Sequence, residues 1–274
     1  IGSTWKEADV VMEDIIGEPL SDFVLRTGLS KQEMAVAEEK LKQTEYTQPA
    51  MLTADLAIER LLNQHGIHPD MVAGHSLGEY AALMVSGILR FEDALRAAAA
   101  RGTEMGSVEV PDKGIMASIT APFEDIEKVL KSVDGYVIAA NKNSPTMTVI
   151  AGETEPMREA MRLFEESGAM VVQLQTSHAF HSRIVAPANE PLRRFLEGLE
   201  ISLPSIPITA NVDGTFYPNE VQHGQDAKEA ILEKLAPQMS SAVEWTSQIH
   251  SMHEAGARIY LEVGPKRALA LFAS

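Results

Sequence analysis

The chain has 274 residues, 45% of them hydrophobic, enough to bury the core of one large domain with a smaller one inserted in it. With 23 Lys plus Arg against 39 Asp plus Glu, the net charge of −16 argues against a nucleic-acid or anionic-membrane partner. The absence of cysteine excludes disulfides, thiolate metal sites and a cysteine nucleophile, and fits the reducing cytoplasm expected as the location. No run approaches the roughly 20 apolar residues of a membrane span, and residues 1–14 lack a signal-peptide pattern, so a soluble protein is expected.

In chain order, residues 51–64 carry Ala, Leu and Ile at helical spacing and stop at Gly66 and Pro69. Residues 71–74 read as a short buried strand, and residues 79–88, apolar on most faces, as a buried helix. The stretch 114–175 has another rhythm: strand 114–120, helix 123–133, strands 136–140 and 147–151, helix 155–167, strand 169–175. That βαββαβ order is that of a ferredoxin-like unit. The expected class is therefore α/β: an α/β-hydrolase-like core with a parallel sheet in residues 1–113 and 178–274, and a ferredoxin-like insertion in residues 114–177.

The buried strand and helix flank Gly74-His75-Ser76-Leu77-Gly78, the G-x-S-x-G pattern of a nucleophile elbow. Such a turn presents Ser76 to a substrate, and the glycines remove side chains that would collide there. The Leu77 amide, at the following helix N-terminus, can donate to an oxyanion. A serine hydroxyl needs a base within reach, which makes the eight histidines candidates. His75 should point away from the hydroxyl, His65 and His68 lie at the far end of the elbow strand, and His223 sits in a polar loop. His250 and His253 lack a third ligand, so no metal site is expected. His178 and His181 fall where the insertion ends and the main body resumes, a place for a base beside a cleft.

With these residues in view, the chain resembles the malonyl-CoA:acyl-carrier-protein transacylase family, which includes the acyltransferase domains of polyketide and fatty-acid synthases. The resemblance runs from about residue 47 to 272 and rests on motifs in one order. These are Thr47-Gln48-Pro49-Ala50, Gly74-His75-Ser76-Leu77-Gly78-Glu79-Tyr80 and Arg101-Gly102 with Met105. Asn141-Lys142-Asn143-Ser144-Pro145 with Val149-Ile150-Ala151-Gly152 comes next, then His178-Ala179-Phe180-His181, Gln238 before Val243-Glu244-Trp245, and Glu262-Val263-Gly264-Pro265.

The resemblance implies that Ser76 becomes acylated with His181 as its base, and that a main-chain or amide oxygen near Gln238, rather than a triad carboxylate, orients the imidazole. It implies a bidentate pair between Arg101 and a malonyl carboxylate, with His75, Gln48, Asn143 and Phe180 at the acyl site. Phe180 and Leu77 point to malonyl over methylmalonyl, a preference worth about 1 to 3 kcal/mol. The implied reaction is ping-pong transfer from malonyl-CoA to the phosphopantetheine thiol of an acyl carrier protein, with no bound cofactor and with neighbouring domains of a multienzyme as partners. Family members begin with a strand ending in a Gly-Gln-Gly loop, a pattern that residues 1–46 lack, so a domain of a larger multienzyme is expected. A serine esterase or thioesterase of α/β-hydrolase type, and a non-catalytic docking domain, are the alternatives. Arg183, Arg193, Arg194, Lys266 and Arg267 form either a carrier-protein patch or scattered surface charge.

Overall fold

The apolar spacing of the first hundred residues folds into packed helices: α1 (Gly2–Ile16), α2 (Ser21–Val24), α3 (Lys31–Lys40), α4 (Thr44–Gln64), α5 (Gly78–Val85) and α6 (Phe91–Gly106). This computed structural model describes residues 1–221 and 225–273; His223 lies outside them. Helix α4 begins at Thr44, ahead of the stretch read from the sequence, and accepts Pro49 near its start at the cost of one hydrogen bond to the Glu45 carbonyl. Helices α4 and α6 approach closely at Gly102, where a Cβ would run into the Thr44 carbonyl, and the Thr44 hydroxyl donates to Gly102 O at 2.8 Å. Trp5 and Met12 of α1 complete this layer by packing on Ala50, Ala57 and Ala99.

The βαββαβ order read from the sequence is present as β1 (Ile115–Thr120), α7 (Phe123–Ser132), β2 (Val137–Ser144), β3 (Met147–Gly152), α8 (Thr154–Glu166) and β4 (Met170–Gln173). The strands form one antiparallel sheet in the order β2-β3-β1-β4. Because side chains alternate along a strand, the sheet has two apolar faces. Ala117, Ile119 and Ile150 pack on Ile126 of α7 and on Met157, Ala160 and Phe164 of α8. Met116, Val149 and Ala151 of the other face pack on Ala179 and Ile184, so the sheet backs the segment that carries His181.

Beyond it lie a 3-10 turn (Arg183–Ala188), α9 (Asn189–Glu197), α10 (Ala227–Leu235), α11 (Trp245–Glu254) and α12 (Ala268–Phe272). Residues 71–74, read as a strand, are extended but pair only through one parallel bridge, Val72 to Ile208. A second parallel bridge joins Asn141 to Val243. Among the described residues these bridges are the whole of the parallel pairing, where a parallel sheet had been expected. Residues 257–263 also run without strand pairing, with Ile259 92% exposed. No helix is long and apolar enough to cross a membrane among the described residues.

Candidate active site

The bridge at Val72 delivers the chain into the elbow, and Ser76 sits at its apex with φ 53°, in the left-handed region. Gly74 is required there, since a Cβ would overlap the backbone of Gly78 and the Glu79 nitrogen. At Gly78 the expectation of a collision fails: a Cβ would meet nothing within 4 Å. The crowding is thus carried by Gly74 alone, with Gly78 simply the first residue of α5. Leu77 caps that helix, and its N–H has no hydrogen-bond acceptor among the described residues, as an amide left free for an oxyanion requires.

His181, also left-handed at φ 56°, is held by its own N–H donating to Met239 O at 2.9 Å. Its Nε2 lies 2.7 Å from Ser76 Oγ. Its Nδ1 lies 3.2 Å from Gln238 O and 3.1 Å from Ser241 O. Two carbonyls can only accept, so Nδ1 carries the proton and the Nε2 lone pair faces the serine hydroxyl. Burial pushes the imidazole down to about 3, with the charges of Arg101 and His75 adding to the effect, and keeps the ring neutral. Gln238 thus contributes to histidine orientation through its main chain, with Ser241 as an unforeseen second acceptor. Its side chain is used elsewhere, Nε2 donating to Ser76 O at 2.6 Å. His178, the other junction histidine, points away and bonds Val108 O at 2.9 Å.

Arg101 on α6 is 2% exposed. Its Nη1 donates to Gln48 Oε1 at 2.8 Å, its Nε to Gln238 Oε1 at 3.3 Å and its Nη2 to Ser76 Oγ at 3.2 Å. All of these partners are neutral, and no carboxylate pairs with the guanidinium among the described residues. The guanidinium lies 5.7 Å from the Tyr80 ring centroid and feels the Glu79 charge only at a distance, so a buried cation turned to a nucleophile with no carboxylate in contact fits an anionic group. Gln48 therefore acts on the site by holding Arg101, and its Nε2 rests on Met105 Sδ at 3.7 Å.

The remaining site residues read from the sequence divide. His75 turns from the hydroxyl and donates from Nε2 to Asn143 Oδ1 at 2.8 Å, with Trp245 and Phe272 against its ring. Phe180 is half-buried beside His178, at 6.1 Å between ring centroids. His65 and His68 are exposed, and no cluster of metal-binding side chains occurs among the described residues. Three of the scattered arginines are ion-paired: Arg183 with Glu153, Arg193 with Glu197 and Glu229, and Arg194 with Glu190, which favours ordinary surface charge at those positions.

The sequence reading missed Asn211, Glu79 and Tyr217. All are buried beneath the elbow, with Asn211 Oδ1 accepting from Ser76 N–H at 2.6 Å. The available signal was a carboxylate, Glu79, inside an otherwise apolar helix, because a buried acid demands partners. Burial raises it to about 7, against hydrogen bonds from Tyr217 and Asn211 that lower it.

Residues 2–271 match the model of the acyl transferase domain. The chain belongs to that family. A malonyl CoA-acyl carrier protein transacylase of Bacillus subtilis is 33% identical over 255 residues, covering 91% of this chain and 78% of the relative. The polyketide biosynthesis protein ThaF of Burkholderia thailandensis is 36% identical over 83% of this chain, which spans only 19% of that longer protein. Among solved structures, a malonyl transacylase from Streptococcus pneumoniae superposes with a TM-score of 0.83 at 35% identity, over 98% of this chain and 84% of that one. A type II PKS acyl-carrier protein in complex with its malonyl-transacylase gives a TM-score of 0.84 at 34% identity, over 99% and 84%. The family's α/β fold is therefore the fold of this chain.

Proposed function

We propose that this chain transfers a malonyl group from CoA to the phosphopantetheine thiol of an acyl carrier protein through an acyl-serine at Ser76. The observation that carries the reading is Arg101, a buried guanidinium with no carboxylate in ion-pair contact among the described residues, whose Nη2 lies 3.2 Å from Ser76 Oγ. Gln48, Gln238 and Ser76 each take one of its five N–H donors, which leaves two for the oxygens of a malonyl carboxylate. Family membership and the malonyl transacylases among the relatives support the same substrate.

In the first half-reaction Ser76 Oγ attacks the thioester carbonyl while its proton passes to His181 Nε2. The imidazolium is stabilised at Nδ1 by the carbonyls of Gln238 and Ser241, and the Leu77 amide receives the tetrahedral oxyanion. Collapse expels CoA as its thiol, protonated by His181, and leaves malonyl-Ser76. The carrier thiol then gives its proton to His181 and attacks the ester; Ser76 leaves with that proton restored. The carboxylate of the bound malonyl thioester offsets the Arg101 charge, one of the influences that hold His181 down, so the base strengthens when the substrate is in place. Phe180 borders the acyl position and sets the preference for malonyl over branched groups, while His75 and Asn143 shape the opposite wall.

The further parts of the reading are an α/β-hydrolase-like body in residues 1–113 and 178–274 with a ferredoxin-like subdomain in 114–177, cytoplasmic location, and neighbouring domains of a multienzyme. The substrates bring CoA and phosphopantetheine to the site, and no resident cofactor is invoked. Intact-protein mass spectrometry tests the activity: malonyl-CoA should add one malonyl group to the wild type and none to Ser76→Ala, and a phosphopantetheinylated carrier protein should remove it. An adduct persisting in Ser76→Ala overturns the assignment.

A further inference from the structure

An L-residue occupies the left-handed region only where its surroundings hold it, and Ser76, at φ 53°, therefore needs a restraint. The strongest one visible is the Asn211 side chain. Its Oδ1 accepts from Ser76 N–H at 2.6 Å, and its Nδ2 donates to Gly74 O at 2.6 Å. One planar amide thus bridges the two peptide groups on either side of His75, fixing the turn that raises the hydroxyl. Asn211 is anchored in turn. Its backbone N–H donates to Glu79 Oε1 at 3.0 Å, the same oxygen receives the Tyr217 hydroxyl at 2.7 Å, and Asn211 O accepts from Glu244 N–H at 2.9 Å. Asn211 and Glu79 are fully buried and Tyr217 is 3% exposed, so no water competes for these bonds.

We infer that Asn211 is a positioning residue for acyl transfer, latching Ser76 in its attacking conformation, and that Glu79 and Tyr217 fix the latch. It also decides which amide meets the oxyanion. Ser76 N–H is engaged by Asn211, so the free donor at the start of α5 is that of Leu77. The inference rests on the acyl-serine reading above, because a latch on Ser76 matters only if that hydroxyl attacks.

The test is single-turnover acylation by malonyl-CoA, followed by intact mass from pH 5 to 9, on the wild type, Asn211→Leu, Asn211→Asp and Glu79→Gln. Asn211→Leu keeps the bulk and loses both bonds; acylation should slow about 10- to 100-fold with KM nearly unchanged. Asn211→Asp distinguishes a latch from packing. Protonated, its carboxyl accepts from Ser76 N–H and donates to Gly74 O as the amide does; ionised, it repels that carbonyl. Its rate relative to wild type should rise as pH falls, or stay near one if the buried carboxyl remains protonated throughout. Glu79→Gln retains an acceptor for Tyr217 and Asn211 and should stay within about threefold of wild type. A rate for Asn211→Asp that is low and flat across the pH range, or wild-type acylation in Asn211→Leu, overturns the latch. If the wild type itself gains no malonyl group, or Ser76→Ala does, the acyl-serine reading fails and the latch falls with it.

Discussion

Replacing Arg101 by alanine separates recognition of the malonyl carboxylate from the chemistry at Ser76. The guanidinium is 2% exposed, and among the described residues its hydrogen bonds go to Gln48, Gln238 and Ser76. In Arg101→Ala a bound malonyl carboxylate would occupy the same dry position without a cation, and loss of one partner of a buried charge pair costs about 2 to 5 kcal/mol. A central value of about 3 kcal/mol corresponds to a loss of roughly 150-fold in kcat/KM for malonyl-CoA. Acetyl-CoA carries no carboxylate and should keep its rate within about threefold, so the malonyl-to-acetyl ratio records almost the whole effect. Arg101→Lys, which keeps the charge but loses the fork, should fall between. The assay is kcat/KM for both thioesters, with thermal unfolding to confirm that each variant is folded. A folded Arg101→Ala enzyme with an unchanged malonyl-to-acetyl ratio would refute the reasoning.

Other consequences concern the base, the buried acid and the elbow. Because burial and Arg101 push His181 down to about 3, the free enzyme should keep a neutral base as pH falls from 7.5 to 5.5; a pH profile of kcat/KM for acylation that falls over this interval with a histidine-like midpoint contradicts that environment. Glu79 is raised from 4.5 to about 7, so the folded state binds its proton more tightly; its favourable contribution is complete below the unfolded value and is lost as pH rises to about 7. Urea unfolding should therefore show Glu79→Gln gaining about 3 kcal/mol relative to wild type between pH 4.5 and 8, and a pH-independent difference would count against a desolvated carboxyl. Gly74→Ala should destabilise by at least 1 to 3 kcal/mol, roughly the cost of overpacking, whereas Gly78→Ala should be neutral or stabilising by about 0.5 to 1 kcal/mol; equal thermal shifts for the pair would contradict the geometry.

The features legible in the sequence were those written in local pattern. The elements between residues 114 and 175 follow from apolar alternation and periodicity, and each strand and helix there lies within a few residues of the reading. The elbow was legible because Gly74, Ser76 and Gly78 lie within five consecutive residues. What escaped was long-range. Whether residues 71–74 pair as a strand depends on distant chain, here the single bridge from Val72 to Ile208. Gln238 was recognised, but nothing local divides its main chain, which faces His181, from its side chain, which braces Ser76 and Arg101. Asn211 is far from the elbow in the chain, and only the folded chain brings it against Gly74 and Ser76. For Arg183 and Arg193 the choice between a carrier-protein patch and scattered surface charge stayed open in the sequence because their partners, Glu153 and Glu229, are distant in the chain.

The central claim is that Ser76 carries the acyl group between two thiols. Peptide mapping after incubation with malonyl-CoA should find one malonyl group, on the peptide containing Ser76, and addition of a phosphopantetheinylated carrier protein should empty that peptide as malonyl appears on the carrier. Malonyl reaching the carrier with the Ser76 peptide unmodified at every time point, or with Ser76→Ala as active as wild type, would contradict the account.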